Sequence, residues 1–173
     1  MLGFQNADWD EYIKYRPAYP QSIFDRIYAQ HSQDPSSSYD LANDCGAGAG
    51  IASEILATRF IKVVVSTPNG EYLAIARACI SPKFPGEKFE FKAEGGEESS
   101  LESGTVDLVT ILEAIHWCDI DAALREFHRQ LKNGGTLCIA HYSKPCARNH
   151  DDFGKLWDGA WKRVWSAINP LIR

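Results

Sequence analysis

Along this chain, short apolar runs alternate with stretches in which apolar residues return every third or fourth position. The first kind reads as buried strand and the second as amphipathic helix. "PQSIFDRIYAQH" carries Ile23, Ile27 and Tyr28 on one helical face, with Pro20 at a fitting first-turn position. "YDLANDC" is an apolar-leaning strand that runs into Gly46, Gly48 and Gly50. "IASEILATRF" reads as the next helix, and "IKVVVS" as a β-branched strand that is apolar on both faces. "GEYLAIARACI" is a helix ended by Ser81-Pro82, "KFEFK" a short third strand and "TVDLVTIL" a fourth. "IDAALREFHRQL" aligns Ile120, Leu124, Phe127 and Leu131 in one stripe and stops at Asn133-Gly134-Gly135. "TLCIAHY" is a fifth strand. Beyond it, "DDFGKLWDGAWKRVWSAI" sets Leu156, Trp157, Trp161 and Trp165 on one side, opposite Asp158, Lys162 and Arg163.

Strands alternating with helices predict a parallel α/β sheet with helices on both faces, ending after the fifth strand. At 173 residues the chain reads as one domain. Within it, 1–35 form an N-terminal cover, 36–145 the core and 146–173 an amphipathic C-terminal helix. Ligands of open α/β sheets bind outside the carboxyl ends of the strands. That rule selects Asp44 to Gly50, Ser66-Thr67, the acidic group Glu94, Glu97 and Glu98, then Glu113 to Trp117, and His141-Tyr142. Glycines at a strand-to-helix turn let a ligand approach the main chain. Ile51 stands where a dinucleotide turn needs a small residue, and no G-x-x-x-x-G-K-[ST] run is present. The turn therefore fits neither NAD nor a P-loop nucleotide.

The formal net charge of −5 and the lack of a basic run exclude nonspecific nucleic-acid binding and tethering to an anionic membrane as expected functions. The apolar runs are too short to span a bilayer, and "MLGFQNADWDEY" lacks the build of a signal peptide. A soluble cytoplasmic protein is expected. The five cysteines form no CxxC pair, and His141, Cys146 and His150 match no common zinc spacing, so no metal is expected.

Several separated motifs resemble one family. "DCGAGAG" is similar to the D-x-G-x-G-x-G turn of class I S-adenosylmethionine-dependent methyltransferases. "YIKYRPAYP", "SGTVDLVTILEAIHWCD" and "LKNGGTLCIAHY" resemble segments of its small-molecule branch, which includes trans-aconitate methyltransferase-like proteins. The resemblance covers residues 10 to 145 and implies a Rossmann-like fold with strand one central and beside strand four. It implies that Asp44, Gly46, Gly48 and Gly50 line the methionine end of S-adenosylmethionine and that Glu97 or Glu98 meets adenine. By the same resemblance His116 and Trp117 lie near the sulfonium, and Tyr12, Tyr15 and Arg16 belong to the cover.

Two departures stand out. Thr67 occupies the place of the family's ribose-binding Asp, with Asn69 and Glu71 nearby as partial substitutes. The loss of such a charged hydrogen bond is worth roughly 1.5–3 kcal/mol, about ten- to a hundredfold in affinity, so a weakened cofactor site is expected. The family also continues through two further strands. Three functions compete: a methyltransferase acting on a small acid or natural-product intermediate, a non-methylating cyclase, isomerase or hydrolase on the same fold, and a non-catalytic partner of another methyltransferase. His116, His141 and Tyr142 are the expected acid–base groups. An edge at strand five beside a tryptophan-rich helix predicts a homodimer through residues 136–168.

Overall fold

The computed structural model describes Lys14, residues 18–142 and residues 151–168. Tyr12, Tyr15, Arg16, Cys146 and His150 lie outside the described residues. Contacts group the chain into two compact units, residues 17–141 and a second that contains Tyr142 and the C-terminal helix.

The first unit runs α1 (Gln21–His31), β1 (Leu41–Cys45), α2 (Ile51–Leu56), β2 (Lys62–Ser66), α3 (Gly70–Ile80), β3 (Phe89–Lys92), β4 (Val106–Leu112), α4 (Ile120–Gln130) and β5 (Leu131–Ala140). Its strands form one sheet in the order β3-β2-β1-β4-β5, every pair parallel. The Rossmann-like class I methyltransferase architecture is thus as expected, with β1 central and beside β4. The reason lies in the two-residue alternation. Val63, Val65 and Leu108 pack with Phe24, Leu56, Phe60 and Ile80 on one face. Val109 and Ile111 pack with Ala123 and Phe127 of α4 on the other. Strands covered on both faces need apolar side chains at both parities, and all seven residues of β4 are buried.

Among the described residues, the buried polar side chains are paired, except for the Tyr28 hydroxyl. Asp107, 2% exposed, accepts from the N–H groups of Asp40 (3.2 Å) and Leu41 (2.9 Å), from Ser38 Oγ (2.6 Å) and from Lys132 Nζ (2.7 Å). The bond to Asp107 raises the Lys132 ammonium above its ordinary pKa. Leu41 opens β1 and Asp107 sits near the start of β4, so this cluster pins the end of the sheet opposite the glycine turn. A second chain of bonds crosses the sheet. Ser66 Oγ donates to Asn43 Oδ1 (3.1 Å), Asn43 Nδ2 to Gln130 Oε1 (2.8 Å) and Gln130 Nε2 to Glu126 Oε1 (3.0 Å).

Glu126 also receives Arg129, whose hydrogen bond holds the carboxyl below the usual carboxylate range against the opposing effect of burial. A depressed folded pKa contributes stability that is present above the unfolded value and lost as pH falls through the folded one. Glu126→Gln is therefore expected to flatten the acid limb of the stability curve while changing its alkaline side little. Urea midpoints measured from neutral to acidic pH check this.

One boundary differs from expectation. Leu131 was expected on the α4 stripe, with the strand beginning at Thr136. Instead α4 ends at Gln130, Leu131 is extended (φ −67°, ψ 137°), and it pairs with Val106. The ladder then breaks register before Leu108 meets Thr136, and Gly134 adopts φ 80° within the irregularity. Lys132 is held there by Asp107, so a tertiary ion pair draws the chain into the sheet before the glycines are reached.

The second unit contains α5 (Asp151–Ile168). Trp157 and Trp161 bring their ring centroids to 6.2 Å, as their spacing predicts, whereas Leu156 is 72% exposed. Among the described residues, no helix is long and apolar enough to cross a membrane.

Candidate functional site

The carboxyl ends of β1, β2, β4 and β5 meet around the glycine turn. Gly46, Gly48 and Gly50 all have positive φ (69°, 55° and 82°), the region where side chains cost most. Their surroundings separate them. A Cβ on Gly46 would lie 2.4 Å from Cβ of Ala114, and one on Gly50 would lie 3.1 Å from Cδ1 of Ile80. A Cβ on Gly48 would meet nothing within 4 Å. Gly46 and Gly50 are thus required by packing, and Gly48 leaves main chain open to an incoming molecule. Ala47 N–H donates to the Ser66 carbonyl (3.0 Å), which ties the turn to the end of β2.

Asp44 is 1% exposed, and its carboxylate accepts from Ser53 Oγ (2.5 Å) and Thr110 Oγ1 (2.9 Å). It binds β1 to α2 and β4 from within, so it shapes the turn from behind. Ser53 and Thr110 carried no signal in the sequence, because hydroxyl residues on a helix and a strand acquire this role only when three elements converge.

Thr67 follows β2 directly, 5% exposed, with its N–H on the Lys92 carbonyl (3.2 Å). Asn69 caps α3, its Oδ1 accepting from Glu71 N–H (2.8 Å). That oxygen is committed to the helix, which removes Asn69 as a ready substitute for a ribose-binding carboxylate. Glu71 is exposed in the first turn of α3.

After β3, a cleft of about 330 Å³ is lined by Ala93, Glu94, Gly95, Glu98, Ser99 and Ser100. Glu98 lies in this cleft. Glu97 is not among its lining residues; its Oε1 accepts from Asp119 N–H (2.9 Å) at the start of α4. Glu94 takes the place beside Glu98. Burial raises its pKa, but hydrogen bonds from Ser100 and Ser99 and the charge of Lys92 outweigh this and hold the carboxyl low. Asp119 in turn caps α4 through a bond from Ala122 N–H (3.0 Å). Asp119→Ala is expected to cost about 1 kcal/mol, read as a lowered urea midpoint with unchanged slope.

Beyond β4 the chain turns sharply. Glu113 has φ 61°, and among the described residues it alone has positive φ without being glycine. Its N–H donates to the Ala140 carbonyl (2.9 Å), and its Oε2 lies 2.9 Å from Nδ1 of His141. His116 and Trp117 occupy a short 3-10 turn (Ile115–Trp117). The His116 ring stands edge-on to that of His141 at 5.7 Å and lies 4.9 Å from the Trp117 ring. Trp117 is 66% exposed, so it is not a core aromatic. Tyr142 is exposed and belongs to the second unit. The fold thus brings together the glycine turn, Thr67, Glu98, His116, Trp117 and His141 at one end of the sheet.

Three of the thiols, Cys45, Cys118 and Cys138, are poor nucleophiles. Burial pushes Cys45 up to about 12 and raises Cys118 and Cys138. Among the described residues, no three His, Cys, Asp or Glu side chains are grouped to hold a metal ion.

Comparison with known proteins agrees with this geometry. A "Methyltransferase" of Claviceps purpurea is 32% identical over 135 residues, 78% of this chain and 41% of the relative. A solved structure from Anaeromyxobacter dehalogenans, described as a candidate type II methyltransferase, superposes with a TM-score of 0.67 at 24% identity, over 87% of this chain and 60% of the other. The cyclase SpnF superposes with a TM-score of 0.58 at 18% identity, over 78% of this chain and 52% of its own. The chain spans about half the length of the curated relatives it matches, from 41% to 54%. The family described as "Methyltransferase domain" matches residues 43–139, which include the glycine turn, Thr67, the acidic cleft and the Glu113–Trp117 turn, and the chain belongs to that family.

Proposed function

We propose that this chain forms the cofactor-binding part of an S-adenosylmethionine-dependent methyltransferase that modifies a small acceptor molecule, and that its cofactor affinity is reduced. The observation that carries the reading is the glycine turn at the end of the central strand. There Gly46 and Gly50 are closed by packing while Gly48 stays open. That opening suits the methionine end of S-adenosylmethionine. The cleft with Glu94 and Glu98 suits adenine, whose amino group donates to carboxylates. Thr67 offers the ribose a neutral hydroxyl in place of a charged acceptor. When bound, S-adenosylmethionine supplies a methyl carbon whose bond to sulfur breaks with the electron pair kept by sulfur. The chain's own groups position the two molecules, which supplies much of the catalysis of an in-line displacement. Calorimetry with S-adenosylmethionine tests the reading. Saturable, weak binding is expected, and absence of binding at millimolar concentration would contradict it.

A second reading, an acid–base enzyme that transfers no methyl group, is favoured by the Glu113–His141 contact and by the likeness to a protein named as a cyclase. Turnover of a substrate without S-adenosylmethionine would select it. The reading also includes a homodimer through residues 136–168. β5 ends the described sheet, with Ile139 45% exposed along it. Sedimentation at micromolar concentration should give twice the chain mass, and Trp161→Glu should reduce it to one.

A further inference from the structure

We propose that Arg129 is a positioning residue for cofactor specificity: from the last turn of α4 it fixes the loop between β3 and β4, so that Glu94 accepts from the 6-amino group of adenine and a 6-oxopurine is disfavoured. The inference rests on the methyltransferase reading above, which puts adenine in the cleft lined by Glu94 and Glu98. The loop has little of its own to order it. Residues 94–104 read "EGGEESSLESG", in which Glu94, Glu97, Glu98 and Glu102 repel one another and Gly95 and Gly96 lose the most freedom on folding. Its order comes from α4. Gly96 lies against that helix, where an added Cβ would come 3.3 Å from Cζ of Phe127. Glu97 Oε1 accepts from Asp119 N–H at the helix start (2.9 Å).

The rest of the loop is held by Arg129. Its Nε and Nη2 donate to the two carboxylate oxygens of Glu126 (2.8 and 2.6 Å), a paired contact that fixes the plane of the guanidinium. The Glu126 side chain is 12% exposed, so this anchor is largely enclosed. From that plane Nη2 also donates to the carbonyls of Ser99 (3.1 Å) and Leu101 (2.8 Å), and Nη1 to Ser103 Oγ (3.0 Å). Gly104 N–H donates to the Arg129 carbonyl (2.8 Å), which closes the contact through the main chain. The segment fixed in this way shapes the cleft. Ser99 Oγ and Ser100 N–H both donate to Glu94 Oε2 (3.1 Å each), and both serines line the cleft. Arg129 is not among the lining residues, so it acts through Ser99 and Glu94. A carboxylate offers about four acceptor positions, so Glu94 retains capacity for the adenine amino group. A 6-oxo group would set a second acceptor against the carboxylate, and the two repel.

The test is calorimetry with S-adenosylhomocysteine and with S-inosylhomocysteine, in which an oxo group replaces the 6-amino group. The wild type is expected to prefer the first by about ten- to a hundredfold. Glu94→Gln, whose amide can accept or donate, should bring that ratio close to one. Arg129→Lys keeps a cation beside Glu126 but not the planar fork. It should weaken S-adenosylhomocysteine and leave S-inosylhomocysteine nearly unchanged, so the ratio falls toward one. Ser99→Ala, which removes only the hydroxyl between the loop and Glu94, should lower the ratio by less. A residue that merely stabilises the fold would lower the urea midpoint and leave the ratio as it was. If Arg129→Lys does not fold, Glu126→Gln loosens the same fork and takes its place. Failure of both ligands to bind the wild type at millimolar concentration would overturn the methyltransferase reading itself. With S-adenosylhomocysteine bound, a wild-type ratio near one, or a wild-type ratio kept in the fork variant, would overturn the role of Arg129 while the wider reading stands.

Discussion

Gly46→Ala is expected to destabilise the protein by about 2–5 kcal/mol, the sum of left-handed backbone strain and overpacking. The φ of 69° is unfavourable for any residue with a Cβ, and the new methyl would sit 2.4 Å from the Ala114 side chain. Ala114 cannot yield easily, because Glu113 before it is tied to Ala140 and His141. Gly48→Ala provides the contrast. Its φ is also positive, yet the added Cβ meets nothing within 4 Å, so only the strain of about 1–2 kcal/mol is expected. That Cβ stands at the proposed position of the methionine end of the cofactor. Gly48→Ala should therefore fold and lose at least tenfold in S-adenosylmethionine affinity, about 1.4 kcal/mol. Urea unfolding of both variants, with calorimetry on Gly48→Ala, separates the packing glycine from the ligand glycine. Equal stability losses in the two would contradict the assignment.

Thr67→Asp is expected to tighten S-adenosylmethionine binding by about ten- to a hundredfold, equivalent to the roughly 1.5–3 kcal/mol of a charged hydrogen bond. Asn69 cannot already supply that contact with its oxygen, since that atom caps α3. Position 67 is 5% exposed, so the new carboxylate loses solvation when no ligand is present. The variant should accordingly melt lower than the wild type without cofactor and recover on adding it. Tight wild-type binding that the substitution does not improve would show that Thr67 is not the ribose position.

The sheet was legible because period-two burial and period-3.6 stripes are local properties: Val63–Val65 and Leu108–Ile111 declare strands covered on both sides, and Ile23, Ile27 and Tyr28 declare a helix. The α4–β5 boundary was not legible, because the Lys132–Asp107 ion pair joins residues on different elements. The site divides along the same line. Its glycines could be read from their spacing, whereas their separate duties depend on Ala114 and Ile80. Glu94, Glu97 and Glu98 look alike in sequence, and only the fold sends Glu97 to the start of α4 while leaving Glu94 and Glu98 on the cleft. Asp44 is legible from the family's motif, whereas its bonds to Ser53 and Thr110 exist only once three elements converge. Glu113 follows a strand end in sequence, and its contact with His141 exists only because β4 and β5 lie side by side.

S-adenosylmethionine is expected to bind across the carboxyl ends of β1, β2 and β3. Amide NMR during a titration with the cofactor tests it most directly. Saturable shifts are expected at residues 46–51, 67–69 and 93–100, with the Asp107–Lys132 end of the sheet unmoved. No shifts at saturating cofactor, or shifts confined to residues outside those three segments, would contradict it.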